Sequence, residues 1–198
     1  MIGAFAQKIG MSQIFDEKGR RIPVTLVKIG KNYITDIFAV NSKKKITVTG
    51  FEVKKIHKSQ KKVLESMQIE DNIKKSQSLY SDSEYTKGQK ITSEIFAQGD
   101  MLIINGITKG KGFQGVIKRH NFSRGPETHG SDHHRQPGSI GSSFPERVVK
   151  GKKMPGHMGS RMNTLTNITV LKVDKDILFL KGSIPGPNKN ILFMSKND

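Results

Sequence analysis

Cysteine is absent from this 198-residue chain, which therefore has neither a disulfide framework nor a thiolate nucleophile. That absence suits a reducing interior. Long apolar runs are also missing, because the longest, such as MLII at residues 101–104, fall far short of the roughly 20 residues of a membrane-spanning helix. The opening residues, MIGAFAQKIGMSQIF, lack the charged leader and apolar core of a secretory signal. We therefore expect a cytoplasmic protein with no membrane partner.

Acidic residues are scarce. The chain has 17 Asp and Glu against 34 Lys and Arg, which gives a formal net charge of +17 and a pI near 10.1. A one-sided excess of cations indicates binding to a polyanion rather than any particular fold. A membrane surface is an alternative, but no basic helix with a broad apolar face is evident. A chain of 198 residues can bury one real core with at most an appendage, and its hydrophobic content of 34% is low for a globular protein.

Much of the positive charge lies in residues Lys109–Arg161, which we call the cationic segment. It carries eleven Lys and Arg against three Asp and Glu, so it supplies +8 of the net charge. Four of the seven prolines and five of the six histidines lie here, and hydrophobic periodicity is almost absent. Such a segment is not expected to fold alone. A nucleic acid is the natural scaffold, because phosphates bind cations and release counterions.

Strands are expected where β-branched and apolar residues cluster between turn signals. The predicted strands cover residues 22–29, 33–40, 46–53, 101–108, 167–173 and 177–181, and a hairpin turn at residues 174–176 joins the last two. A basic turn is predicted at residues 41–45, and ordered structure at residues 88–91 and 93–96. Residues 183–187 and 191–194 close the chain. The result is a compact, mostly β body built from both ends of the sequence, with the cationic segment inserted between two strands.

Residues 54–83 differ from the rest of the body because they are polar and rich in lysine. A helix is predicted around residues 61–69. The segment is either a solvated surface insertion or a separate binding element, and both interpretations stay open.

Glycines 110, 112 and 115 fit the pattern G-x-G-x-x-G after a predicted strand. A dinucleotide site also needs a βαβ unit and an acidic residue about 20 positions later, and neither is evident. A short helix at residues 114–119 is plausible. The better interpretation is a tight turn with exposed amides, whose lysines point at a nucleic-acid backbone.

The histidines and phenylalanines of the cationic segment are the other candidate functional residues. His129, His133 and His134 lie among Gly, Ser and Pro without a rigid scaffold, so RNA contacts or plain exposure are favoured over a metal site. No metal and no cofactor are expected. Phe113 is expected to pack beneath the turn, although it is kept as an RNA-binding candidate. Phe144 is expected to stack on a base.

Several long stretches resemble the bacterial large-subunit ribosomal protein L-three (L3) family. The start MIGAFAQKIGMSQIF followed by IPVTLV is similar to the family's beginning, and GITKGKGFQGVIKRHNF is similar to its signature. Its long extension is matched by THGSDHHRQPGSIGSSFPERVVKGKKMPGHMG, and its end by LFLKGSIPGP. The resemblance covers nearly the whole chain and is weakest over residues 54–83.

The resemblance implies a mainly β fold with some α: a β-barrel body of the translation-protein type, a small α+β insertion and a long extended basic loop. The expected division is residues 1–118 for the first part of the barrel, with the insertion at about 54–95, residues 119–160 for the rRNA-penetrating loop, and residues 161–198 for the closing strands. Some members carry a methylated glutamine at the loop tip. This chain has none there, and Phe144 is expected near that position.

The implied function is that of a non-enzymatic structural constituent of the large ribosomal subunit. It would bind large-subunit (23S-type) rRNA, act early in assembly and extend its loop towards the peptidyl-transferase centre. Expected neighbours are ribosomal proteins of the L-thirteen, L-fourteen, L-seventeen and L-nineteen types. The tip residues are Ser142, Ser143, Phe144 and Pro145. The predicted RNA-binding residues are Lys109, Lys111, Gly112, Phe113, Lys118, Arg119, Arg124, Arg135, Arg147, Lys150, Lys152, Lys153 and Arg161.

Two other functions stay open on the residues alone. An RNA-modifying enzyme with a basic substrate arm would need a cofactor pocket or a converging acid–base set, and the acidic residues suggest neither. An architectural DNA-binding protein is compatible with the charge, because the charge does not distinguish RNA from DNA.

Overall fold

The computed structural model describes residues 2–40, 43–81 and 84–196. It divides into two compact units. The first, which we call the body, comprises Met1–Thr108 and Met162–Asp198, and the second is the cationic segment, Lys109–Arg161. Strands dominate the described residues, so the prediction of a mainly β protein with some α is confirmed. The finer predicted boundaries at residues 54–95, 118 and 160 stay predictions.

Six antiparallel strands of the body form a closed barrel. In chain order they are β1 (Gly3–Phe15), β2 (Arg21–Ile29), β7 (Met101–Ile107), β10 (Met162–Asp174), β11 (Ile177–Lys181) and β12 (Ile191–Lys196). Around the barrel the order is β1-β12-β7-β10-β11-β2, and β2 pairs with β1 to close it. The barrel confirms the predicted body built from both ends of the sequence.

Alternating side chains explain why these strands close around a core. In β7, Leu102 and Ile104 are fully buried while Met101 is exposed. In β11, Leu178 and Leu180 are buried and the residue between them is only half-buried. Successive side chains of a strand point to opposite faces, so one face fills the barrel interior. The core is therefore lined by aliphatic residues from every strand of the barrel.

The remaining strands of the body form a four-stranded antiparallel sheet in the order β5-β4-β3-β6. These strands are β3 (Asn32–Val40), β4 (Lys43–Glu52), β5 (Ile73–Ser81) and β6 (Lys90–Ile91). Helix α1 (Lys58–Glu65) connects β4 to β5, and a 3-10 turn at Ser93–Ile95 follows β6. The body thus combines the barrel with an α+β part that begins at Asn32.

Asn32 joins the four-stranded sheet to the barrel. Its side chain is fully buried, and its Oδ1 accepts a hydrogen bond from the Phe5 amide at 2.8 Å. Its Nδ2 donates to the carbonyls of Phe5 at 3.0 Å and Gly30 at 2.8 Å. Position 50 on β4 is glycine because a Cβ there would come within 2.1 Å of the Asn32 Oδ1. The buried amide thus satisfies main-chain groups of β1 where β2 separates from it.

Asp71 holds the loop before β5 against the start of β3. One carboxylate oxygen accepts from the Lys31 ammonium at 2.6 Å and the other from the Tyr33 hydroxyl at 2.7 Å. These two hydrogen bonds, with Lys31 contributing most, hold the pKa of Asp71 below its usual value. Burial, together with the hydrogen bond to Asp71, raises the pKa of Tyr33 to about 12. The contact fixes the α1–β5 connection to the sheet.

The closing residues of the chain pack on β1 through a buried lysine. Lys8 is 5% exposed, and its ammonium donates to the carbonyls of Ile184 at 2.9 Å and Gly186 at 3.1 Å. The loop between β11 and β12 is thereby fixed to the barrel wall. Among the described residues no helix is long and apolar enough to cross a membrane.

The polar region at residues 54–83 departs most from the prediction. Its helix lies at Lys58–Glu65 instead of residues 61–69, and it also contains strand β5, which was not predicted. The basic turn predicted at residues 41–45 is wrong for its second half, because Lys43–Glu52 is strand β4. Asn41 and Ser42 of that turn, and Asp82 and Ser83 at the end of the polar region, lie outside the described residues.

Candidate RNA-binding surface

The two ends of the cationic segment meet in a short β-ladder. Strand β8 (Gly112–Gln114) pairs antiparallel with β9 (Gly156–Met158), and the Lys111 amide donates to the Met158 carbonyl at 2.9 Å. Gly159 follows with φ +79°, and a Cβ there would come within 2.0 Å of the Lys109 carbonyl. Only glycine fits so close an approach. The chain therefore leaves and re-enters this unit through one paired stem.

Helix α2 (Val116–His120) follows the stem and confirms the predicted short helix. Its Val116 is buried, and Asn121 ends it in the left-handed conformation with φ 57°. The Arg119 guanidinium donates to the Met154 carbonyl, and a ring nitrogen of His120 lies 3.0 Å from the same oxygen. Arg119, predicted to bind RNA, thus also fastens the returning chain to the helix.

A second loop in the segment closes on itself. The Gly125 amide donates to the His134 carbonyl at 3.0 Å, and the His134 Nδ1 lies 2.7 Å from the Pro126 carbonyl. Arg124 forms an ion pair with Glu127. These bonds shape residues 124–134 without an apolar core.

All four residues of the predicted loop tip are exposed. The Ser142 hydroxyl donates to the Phe144 carbonyl at 2.7 Å, which folds residues 142–144 into a tight turn before the cis peptide to Pro145. Phe144 is 83% exposed. Its ring is free to meet a ligand, as its predicted stacking role requires.

Phe113 does not pack beneath the turn as expected. Phe113 is 76% exposed, and among the described residues β8 pairs with β9 alone in a two-stranded ladder. The interpretation of Phe113 as a core residue is therefore wrong, and its place among the RNA-binding candidates stays a prediction.

Most cations of the segment are exposed. Within the described residues, ion pairs of the body engage Lys31, Lys44, Lys61, Lys87 and Lys196. Arg124 is ion-paired within the segment. Eight other cations of the segment are exposed with no carboxylate within 4.0 Å among the described residues: Lys109, Lys111, Lys118, Arg135, Arg147, Lys150, Lys152 and Lys153. Arg161 is also exposed.

This arrangement can neutralise a polyanion and offers little for catalysis. The three carboxylates of the segment are Glu127, Asp132 and Glu146. Of these, Glu127 is ion-paired with Arg124. Among the residues that the structure describes, no three His, Cys, Asp or Glu side chains gather as metal ligands would. Exposed ammonium and guanidinium groups on a glycine-rich main chain are suited to phosphate contacts.

A family model described as Ribosomal protein L3 matches residues 24–176, which include most of the barrel strand β2, all of β7 and β10, and the whole cationic segment. The chain belongs to the ribosomal protein L3 family. The resemblance stated from the sequence motifs is therefore confirmed.

Relatives within the L3 family match almost the full chain. The large ribosomal subunit protein uL3 of Alkaliphilus metalliredigens is 39% identical over 206 residues, covering 97% of this chain and 95% of the relative. The uL3 protein of Lysinibacillus sphaericus is 40% identical and covers 96% and 94%. The protein uL3c of Guillardia theta is 40% identical and covers 96% and 98%. These relatives are named as ribosomal proteins of the large subunit.

Membership of the L3 family identifies the chain as a ribosomal protein, but it does not assign RNA contacts to individual residues of the cationic segment. The exposed lysines and arginines stay candidates for phosphate contacts. The hydrogen bonds of Arg119 and His134 within the segment were not predicted, because a main-chain carbonyl acceptor leaves no residue pattern that identifies it. The sequence did show a short helix followed by a proline-containing stretch of the segment, but this pattern does not identify which carbonyl accepts a hydrogen bond.

Proposed function

We propose that the chain binds large-subunit rRNA through its cationic segment, with the exposed lysines and arginines neutralising phosphates. As a member of the L3 family, the chain is a non-enzymatic structural constituent of the large ribosomal subunit. The observation that carries the proposal is the concentration of positive charge in one segment. It has eleven Lys and Arg against three Asp and Glu, and eight of these cations are exposed with no carboxylate within 4.0 Å among the described residues.

The segment combines two roles in this proposal. The strongly basic stretches on either side of the tip supply affinity, since each phosphate contact releases counterions. The tip at residues 142–145 is uncharged and exposed, so it supplies position. By the family resemblance, residues 119–160 penetrate the rRNA and the tip lies towards the peptidyl-transferase centre. Early binding in assembly, and neighbours of the L-thirteen, L-fourteen, L-seventeen and L-nineteen types, belong to the same proposal.

A competition experiment tests the RNA assignment. The full chain is bound to labelled large-subunit rRNA at physiological salt, and unlabelled rRNA or duplex DNA of equal nucleotide content is added. We expect rRNA to compete much better than DNA, because the chain belongs to a ribosomal protein family and folded RNA offers loops and bulges that a uniform duplex lacks. Equal competition by DNA would favour an architectural nucleic-acid-binding protein and contradict the proposal.

A further inference from the structure

The four-stranded sheet of the body has an outer face that turns away from the core. Ile37, Ile46 and Leu79 lie opposite one another on β3, β4 and β5; Ile46 is 0% and Leu79 8% exposed. The next row along the strands is Phe38, Lys45 and Tyr80. Because side chains alternate between faces, this row projects from the opposite, outer face.

Helix α1 covers one part of this outer face and leaves the row open. The hydroxyls of Thr35, Thr49 and Ser76 form a ladder, with Oγ–Oγ distances of 2.9 and 3.1 Å, and line a common cavity with Gln60 and Val63 of α1. Beyond that cavity the row is partly open, with Lys45 half-buried between the two aromatic residues. Phe38 and Tyr80 are 53% and 52% exposed there. Two large aromatic side chains thus lie in one row on an open sheet surface.

The electrostatics of the row favour an anion. Lys45 lies between the two rings, paired across β3 with Phe38 and across β5 with Tyr80. The carboxylate of Asp36, on the same face of β3, forms an ion pair with Lys87 at 3.1 Å, so its charge is already compensated. The row therefore presents ring, cation, ring with no uncompensated carboxylate at Asp36.

We propose that Phe38, Lys45 and Tyr80 form a second RNA-binding site, in the body, which takes unpaired nucleotides. Neighbouring strands lie about 4.8 Å apart, so the two ring-bearing positions are roughly 10 Å apart with the lysine between them. Each ring stacks with one base, and the ammonium binds a phosphate of the linking backbone. Sheets that carry exposed aromatic residues bind single-stranded RNA in this way, because every base has a face that can stack.

The site rests on the proposed rRNA binding but differs from the cationic segment in what it recognises. The segment offers charge to phosphates, whereas the row offers two apolar ring faces and one charge. Stacking depends weakly on salt and phosphate neutralisation depends strongly on it, so the two sites give different salt signatures. The site also assigns a function to β5, in the polar region for which a separate binding element was one of the two open interpretations.

Affinity measurements on the full chain test the site. The probe is a short single-stranded oligouridine, compared with an RNA duplex of the same length. We expect Phe38→Leu and Tyr80→Leu each to raise the Kd for the single strand by roughly fivefold to a hundredfold, the loss of one stacked base, with the salt slope unchanged. Lys45→Gln should instead lower the slope by about 0.7. Phe15→Leu is the matched control, because Phe15 is 65% exposed on β1 of the barrel.

Photo-crosslinking locates the contact independently of affinity. A thiouridine-substituted oligouridine, and rRNA carrying the same base in reconstituted large subunits, should crosslink to peptides containing Phe38 or Tyr80. The site is overturned if both leucine variants bind the single strand within about twofold of wild type, or if this face crosslinks in the subunit to another protein and not to rRNA. Normal rRNA binding with either result would leave the role of the cationic segment intact.

Discussion

Removing three lysines from the returning arm of the cationic segment should weaken RNA binding in a way that depends on salt. Lys150, Lys152 and Lys153 are exposed and form no ion pair with a described carboxylate, and Gly151 lies between them with φ +87°. Their ammonium groups have no carboxylate partner to lose among the described residues. Replacement by alanine, singly and together, should therefore remove phosphate contacts without destabilising the fold.

The expected size of the effect follows from counterion release. Each phosphate contact contributes about 0.7 to 0.9 to the slope of log Kd against log salt, so the triple variant should lose about 2 to 3 units of slope. Over a fourfold rise in salt, from about 50 to about 200 mM, each contact changes affinity by about threefold. The wild type should then lose roughly 20- to 40-fold more affinity than the triple variant over that range.

The assay is filter binding of the full chain to large-subunit rRNA across a salt series. Lys61→Ala is the matched control, because Lys61 is an exposed lysine of α1 that is ion-paired with Glu65 at 3.5 Å. Its removal should leave the slope almost unchanged, and circular dichroism should show all variants folded. If the slope of every single variant and of the triple variant equals that of wild type, these lysines do not contact phosphates.

Four further outcomes are expected. Deleting residues 142–145 should leave subunit assembly mostly intact but disturb peptidyl transfer, or the response to antibiotics that bind at the peptidyl-transferase centre. Phe144→Ala should have the same effect more mildly. Blocked assembly with normal catalysis in the surviving ribosomes would contradict this expectation. Residues 119–160 should show fast backbone motion, with low order parameters, in NMR relaxation measurements on the free protein, and they should become ordered on RNA. Rigid order without RNA would refute the expectation. Asn32→Ala should lower the free energy of unfolding by about 3 kcal/mol in urea, since buried main-chain groups lose their partners; a loss below about 1 kcal/mol would show that other groups replace them. The folded-state pKa of Asp71 is lowered, so its contribution to stability is present above the unfolded pKa and is lost as pH falls through the folded pKa. Asp71→Asn should therefore flatten the acid side of a plot of the urea midpoint against pH. An unchanged plot would contradict that contribution.

Two of these experiments have controls in the chain itself. Replacing residues 142–145 with glycine and serine of equal length separates the loss of the tip side chains from shortening of the loop. Asn163→Ala removes an exposed asparagine of β10, so it should change the unfolding free energy by less than about 0.5 kcal/mol.

The strands that could be predicted from the sequence are those whose own residues mark a buried face. Strands β2, β7 and β11 contain β-branched or aliphatic residues in runs between turns, and they lie where they were expected. The sequence of β5, IKKSQSLYS, has few inward apolar residues and owes its conformation to pairing with β4. Pairing between distant segments leaves no local periodicity, which explains why β5 was missed.

The charge of the candidate surface was predictable and its internal bonds were not. Eleven cations against three acids identified the cationic segment without any structure. The exposure of Phe113 depends on β8 having only β9 as a partner, which composition does not reveal. The row of Phe38, Lys45 and Tyr80 depends on the register of three strands, so it appears only once the sheet is known.

The position of β12 in the barrel has a consequence for synthesis. Its residues Ile191–Lys196 lie between β1 and β7, so the barrel cannot close until the last strand in chain order has left the exit tunnel. The cationic segment emerges from the tunnel earlier, at a time when β1 and β7 are not yet paired with β12. Long-range pairing of this kind forms slowly and leaves strand edges unpaired meanwhile. The newly made protein therefore presents its charged segment before it has a finished body.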